Sequence, residues 1–431
     1  MLSTAIYFLF LIFPLIVSSI SLPHSYPSKD KLPGKFVPFS KLSTCPTLSD
    51  RKPPKNAKDV RPDDFKVVMA MGDSITAGLL ARGSRDDYTP SVSERTNQYR
   101  QRPFDLGVGR IPEIAEWRGI SYPIGSDEGA ITIPTILQHY SKPEGKGNIT
   151  GVSTGHHPPI SCLGIGCAAH PEEDGLNAAI SGSLSKSLIG QVKDYLIPKM
   201  IELEVRREDW KYVNLGIGAN DACAFCLTPN STAIPLHGSP QQFAKGIKKA
   251  VNELRKHARE SAARNTKIIV SVGMFRVSDI YELTLKDPYC QPPHLPIPHL
   301  ALECSCALIP GPVGDYTRQK MDELGEAYDQ AVWEVIKEWE EEDDPSFAAI
   351  WQPGTSVDLA NYPIEALSKI DCFHPSELSH QRVASGLWNR LTLGMKDKYQ
   401  PIPWEQEPTI RCLEESDRIR VGEVSKMLRR D

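Results

Sequence analysis

Four short stretches carry side chains that could together hydrolyse an ester. "MAMGDSITAG" (69–78) sets Ser74 just behind an apolar run. A serine hydroxyl is a weak nucleophile until a base takes its proton, and the base needs a group to orient it. The best-placed base is His374 in "DCFHPSELSHQRVASGLW" (371–388). Asp371 precedes it by three residues, a spacing at which a carboxylate folds back onto one ring nitrogen and fixes the tautomer. The other nitrogen is then free to face a hydroxyl. His380 competes, but it falls inside an expected helix and has no such acid. His156-His157 and His294/His299 lie in Pro- or Gly-rich loops and are read as surface or substrate-wall residues.

Ester hydrolysis also needs donors aimed where negative charge develops. Asn220 in "GIGANDAC" (216–223) offers a side-chain amide just past a strand-like run. Gly182 in "NAAISGS" (177–183) lets a backbone N–H approach a ligand closely. Each piece alone has a plainer structural reading. Ser74 suits a helix cap, Asp371 can cap a turn, and Asn220-Asp221 is a favoured turn pair.

These residues need a scaffold. "FKVVMAMG" (65–72) is a short apolar, β-branched run ending in Gly, which reads as a buried strand. "YVNLGIG" (212–218) and "KIIVSVGMF" (267–275) repeat the design, and "FAAIW" (347–351) is a weaker fourth. Amphipathic helices follow from Phe243, Ile247, Val251 and Leu254, from Met321, Leu324, Tyr328, Val332 and Ile336, and from Val383, Leu387 and Leu391. Strands alternating with helices give a parallel sheet covered on both faces, with the ligand site beyond the carboxyl ends of the strands. Ser74 and Asn220 both fall at such ends. Residues 82–130 and the Pro-dense 286–315 break the alternation and are expected to be long excursions walling the cleft.

The chain has 431 residues, 40% hydrophobic and 24% charged, with a net charge of -5. That supports a large core and leaves no basic footprint for nucleic acid. "AIYFLFLIFPLIV" (5–17) followed by "SSISLP" fits a secretory signal, although no Lys or Arg precedes it; an uncleaved anchor is the alternative. Ten cysteines suit an exported, disulfide-bonded chain. The close pairs Cys223/Cys226 and Cys304/Cys306 could suggest zinc, but histidines at finger spacing are missing, so disulfides are expected and no metal. Asn148 and Asn230 head glycosylation sequons. The expected organisation is a signal peptide at 1–21, an extended segment at 22–64, a catalytic domain at 65–395 and a tail at 396–431.

In this order, Gly72-Asp73-Ser74, Gly182, Gly218-Ala219-Asn220-Asp221 and Asp371-Cys372-Phe373-His374 resemble the SGNH, or GDSL, hydrolase family over residues 65 to 392. "WRGISYPIGSDEG" (117–129), "GANDACAFC" (218–226) and "DCFHPSELSHQRVASGLWN" (371–389) are similar to its phospholipase B-like branch. Ile75 stands where the family name expects Leu, and a C-terminal membrane anchor like that known in some branch members is not expected here. The resemblance implies a three-layer α/β/α sandwich with a mainly parallel, about five-stranded flavodoxin-like sheet. It implies Ser74 as nucleophile, His374 as general base and Asp371 as its orienting acid. The oxyanion would be held by the Ser74 and Gly182 N–H groups and the Asn220 amide, without metal or cofactor. The Gly-x-Ser-x-Gly elbow of α/β-hydrolases is not present around Ser74.

The expectation is therefore a secreted or lumenal esterase acting on phospholipids or lysophospholipids, with transient contact to a membrane surface, as a monomer. A glycan acetylesterase and an inert binding protein on the same scaffold stand as alternatives.

Overall fold

The computed structural model describes residues 32–82, 114–141, 148–158, 171–226, 238–260, 268–273, 276–285, 287–290 and 301–428. The expected signal peptide, Cys162, Cys167, Asn230, His294, His299 and most of the excursion at 82–130 lie outside these residues.

Four strands form one parallel sheet in the order β2 (Phe65–Gly72), β3 (Trp210–Gly216), β4 (Ile268–Gly273) and β5 (Phe347–Trp351). Side chains alternate across a strand, and here both faces are apolar. Val67, Met69 and Met71, with Val213, Leu215, Val270, Val272 and Ala349, pack on the long helices Pro240–Glu260 and Gly311–Glu341. Val68, Ala70, Tyr212 and Ile350 face the Ile133–Tyr140 and Glu377–Arg390 helices through Ile136, Leu137, Trp388 and Leu391. These are the three layers the sequence leads one to expect.

The sheet has four regular strands, and a less regular segment takes the fifth place. Residues 176–180 run parallel to the free edge of β2: Ala70 N–H donates to Leu176 O at 3.0 Å, Ala178 N–H to Ala70 O at 2.9 Å and Ile180 N–H to Gly72 O at 3.2 Å. The carbonyls of Asn177 and Ala179 turn instead to the fully buried Arg118 guanidinium, at 3.0 and 2.7 Å, and the Asn177 side chain takes the Ala179 N–H. The segment is thus hydrogen-bonded without becoming a regular ladder. Counted in chain order, the five segments lie as 2-1-3-4-5. The order reverses between β2 and β3, and in open α/β sheets such a switch point opens a crevice at the strand ends.

The flanking segments pack on this body. A small strand β1 (Phe36–Pro38) pairs antiparallel with β6 (Thr409–Arg411), and Cys45 is bonded to Cys412. The other disulfides among the described residues join Cys223 to Cys304, Cys226 to Cys306 and Cys290 to Cys372. The two close cysteine pairs therefore cross-link to each other, tying the Ala219–Phe225 helix to the 301–308 segment. Asn148 is exposed. No helix among the described residues is long and apolar enough to cross a membrane.

Candidate active site at the sheet switch point

β2 ends at Gly72 because nothing larger fits: a Cβ there would lie 2.3 Å from both Gly216 O and Thr76 Oγ1. The chain then turns through Asp73, whose carboxylate accepts the Ile75 N–H at 3.0 Å and caps a single helical turn, Ser74–Ala77. The capping residue is thus Asp73, and Ser74 is the first helical residue. Four residues sum too little dipole for helix charge to matter much to an anion at Ser74. Gly78, in the left-handed region at φ 72°, ends the turn.

The acid and the base come from one tight turn. The Asp371 carboxylate takes the N–H groups of Phe373 and His374 at 2.9 and 3.1 Å, and Ser368 closes the turn through Cys372 N–H and His374 O. Cys372 sits in the left-handed region at φ 52°, which a non-glycine residue adopts at a cost. It is also held by its disulfide to Cys290. Ser376 then caps the Glu377–Arg390 helix. The segment after the Ser74 turn is tied to that helix start: Glu377 N–H donates to Ala81 O, and the Arg82 guanidinium grips the Glu377 carboxylate through two hydrogen bonds.

These elements bring Ser74, His374 and Asp371 into one buried line. His374 Nδ1 lies 2.5 Å from Asp371 Oδ2, and Nε2 lies 2.9 Å from Ser74 Oγ. Asp371 accepts only, so Nδ1 carries the proton and Nε2 receives the Ser74 O–H. His380 is fully buried in the helix behind; its Nδ1 accepts the Tyr122 N–H at 3.2 Å. Burial, and then the neighbouring His374, pull its pKa down to about 3. It therefore stays neutral and does not compete for the proton.

Gly182 adopts φ 80°, and a Cβ there would meet nothing within 4 Å. The N–H groups of Ser74 and Gly182 have no partner among the described residues. Asn220, in the first turn of the Ala219–Phe225 helix, donates through Nδ2 to Ser183 O at 3.1 Å, which ties it to the Gly182 loop. Asp221 holds the same loop through Ser185 N–H and Oγ at 2.9 and 2.8 Å. Burial raises the Asp221 pKa to about 6 and that of Asp73 to about 7.

One sequence expectation fails here. His157 is buried, not a surface residue: its Nε2 lies 2.8 Å from Asp174. Burial opposes its charge, but the Asp174 carboxylate outweighs it and the pKa rises. His157 belongs to a buried group of Asp174, Glu116 and Arg118 that carries the 176–180 segment, with Ser181 Oγ donating to Glu116. His156 is exposed and stacks on Trp117. Sequence reasoning missed this group, and it missed Gln191, which bonds to Gly72 and Ser183. A lone Arg or Gln gives no local sign that it will be buried. No group of three or more His, Cys, Asp or Glu among the described residues is placed to hold a metal ion.

The GDSL-like lipase/acylhydrolase family model matches residues 68–387. Among curated proteins the chain is similar to "Phospholipase B1, membrane-associated" of Mus musculus, 24% identical over 85% of this chain and 22% of that protein. The Rattus norvegicus protein of that name is 24% identical over 94% of this chain and 25% of its own length. The Homo sapiens protein is 25% identical over 90% and 24%. The chain thus spans about a quarter of the length of these relatives. A solved α/β hydrolase from the metagenome of Lake Arreo, Spain, is 14% identical over 74% of this chain and 92% of its own, with a TM-score of 0.29, an overlap too low to bear on the fold.

Proposed function

The chain belongs to the GDSL-like lipase/acylhydrolase family, and from that premise we propose that it is a secreted serine esterase that removes acyl chains from phospholipids or lysophospholipids. The observation that carries this reading is the buried line of Ser74, His374 and Asp371, with contacts of 2.9 and 2.5 Å. Similarity to membrane-associated phospholipase B1 supports the lipid substrate. Four disulfides among the described residues support an oxidising compartment.

In this mechanism Ser74 Oγ attacks the ester carbonyl as its proton passes to His374 Nε2. Asp371 holds the ring and stabilises the imidazolium that forms. The carbonyl oxygen becomes an oxyanion and takes hydrogen bonds from the Ser74 and Gly182 N–H groups and the Asn220 amide. Collapse of the tetrahedral intermediate expels the alcohol, which takes the proton from His374, and leaves the acyl group on Ser74. Water, deprotonated by His374, attacks the acyl-enzyme by the same route and frees the fatty acid.

Ser74→Ala should abolish hydrolysis with an unchanged melting temperature, and Asn220→Ala should lower kcat by about 10² to 10³. Hydrolysis should be compared on phosphatidylcholine, lysophosphatidylcholine, triglyceride and acetylated sugars. Activity retained by Ser74→Ala would overturn the role of the serine. A preference for acetylated sugars would overturn the lipid substrate.

A further inference from the structure

We infer that Gln191 is a positioning residue that sets the spacing of the oxyanion donors; this inference rests on the oxyanion reading above. Gln191 is buried to 2% exposure, more than 100 residues away in sequence from the strand end it holds. Its Oε1 accepts the Gly72 N–H at 3.0 Å, and its Nε2 donates to Gly72 O at 2.7 Å and to Ser183 Oγ at 3.0 Å. The side-chain amide therefore grips both polar groups of one residue, as a neighbouring backbone would, where the irregular fifth segment is leaving the sheet. Its remaining donor reaches the loop of Gly182.

All three oxyanion donors meet in this group. The Ser74 N–H is two residues beyond Gly72. The Gly182 N–H is one residue before Ser183, whose own N–H closes the loop onto Ile180 O at 3.1 Å. The Asn220 amide reaches Ser183 O at 3.1 Å. Oxyanion stabilisation depends on donors fixed before the reaction. Gln191 bridges the strand end that carries one donor and the loop that carries another.

The backbone around Gln191 is unusual in a way that fits this role. Gln191–Leu196 is a π-helical segment between the α-helical Leu188–Gly190 and Ile197–Glu202. Pro198 has no N–H and in a regular α-helix would press on the Asp194 carbonyl, so widening here relieves the chain. Such bulges are rare and recur at functional sites. Gln191 is buried in this segment together with Val192 and Leu196, which belong to the same apolar layer as Leu188, Met71 and Phe243. An amide is costly in such a layer unless its hydrogen bonds are made, and an aliphatic residue would serve packing alone.

Three variants and their combination test this on a soluble short-chain ester. Gln191→Met keeps the volume and loses all three hydrogen bonds. It should lower kcat about tenfold to a hundredfold while KM stays within about twofold. Ser183→Ala should lower kcat by a smaller factor, and the double variant should be no slower than Gln191→Met, because both break one chain of contacts. Wild-type kcat in a folded Gln191→Met, or losses that multiply in the double variant, would overturn the inference. If Gln191→Met does not fold, Ser183→Ala decides alone, and an unchanged kcat overturns it. Asn220→Ala separates the two levels. If it is fully active, the oxyanion reading itself fails; if it is slow while Gln191→Met is not, only the role of Gln191 fails.

Discussion

Asp73 is the carboxyl nearest in sequence to Ser74, yet Asp371, almost 300 residues away, holds the histidine. The division follows from what each carboxylate touches. Asp371 accepts two turn N–H groups and the His374 ring, so its charge is met by three donors. Asp73 is as deeply buried, and its desolvation outweighs both the Ile75 N–H that it caps and the attraction of His374, with a smaller repulsion from Asp221, so its pKa rises to about 7. The unfolded chain ionises this group near 3.8. A raised folded pKa means that the native state holds its proton more tightly, so the associated stability is complete below about 3.8 and is lost as pH rises to about 7. Asp73→Asn keeps a capping oxygen and removes the titration. Measured by urea unfolding, the wild type should lose stability relative to Asp73→Asn between pH 4 and 7, by at most about 1.4 kcal/mol per pH unit, and run parallel above pH 7. A difference that does not vary with pH would mean that the carboxyl is not desolvated as described.

Among the elements, the turn 368–376 does the most with the fewest residues. It forms the Asp371–His374 pair, caps a helix and is tied through Cys372 to Cys290. Replacing Cys290 by Ala and Cys372 by Asn, which tolerates a left-handed φ, removes the tether without straining the backbone further. That double variant should lose about tenfold in kcat, since small misplacements of a catalytic group are expensive, while its affinity for substrate changes little. An unchanged kcat would show that the turn's own hydrogen bonds suffice. The same turn explains what was legible in the sequence. Asp371 and His374 meet through local geometry, so three-residue spacing revealed them. The four strands showed because apolar runs are local too, three of them closed by a Gly. The fifth segment did not: Asn177-Ala178-Ala179 has weak strand preference, and its place depends on Arg118 from a distant loop. Gln191 was hidden for the same reason, since its partners Gly72 and Ser183 come from other elements and its helix gives no periodic sign. The disulfide partners, too, follow only from the folded positions of the loops.

At the scale of the whole molecule, the two ends of the described chain close on each other behind the Glu377–Arg390 helix. β1 pairs with β6, Trp388 Nε1 donates to Arg411 O at 3.0 Å, and Arg411 N–H donates to Asn389 Oδ1 at 2.7 Å, so the C-terminal strand lies against the helix that follows His374. Arg61 bonds to Glu415, and Arg411 forms a buried pair with Asp417 at 2.7 Å. The Cys45–Cys412 bond spans a sequence separation of 367. A cross-link of that reach acts mainly on the unfolded ensemble, by removing the many conformations in which the ends are far apart. The folded contacts between β6 and the helix do not need it, because they are hydrogen bonds and apolar packing around Ile410, Cys412 and Leu413. Replacing both Cys45 and Cys412 by Ala should therefore cost about 2–5 kcal/mol in unfolding free energy, read by guanidinium titration, and leave kcat within about twofold at temperatures where the protein is folded. A matching loss of kcat would mean that the clasp also sets the position of the Glu377–Arg390 helix, and with it the approach of His374 to Ser74.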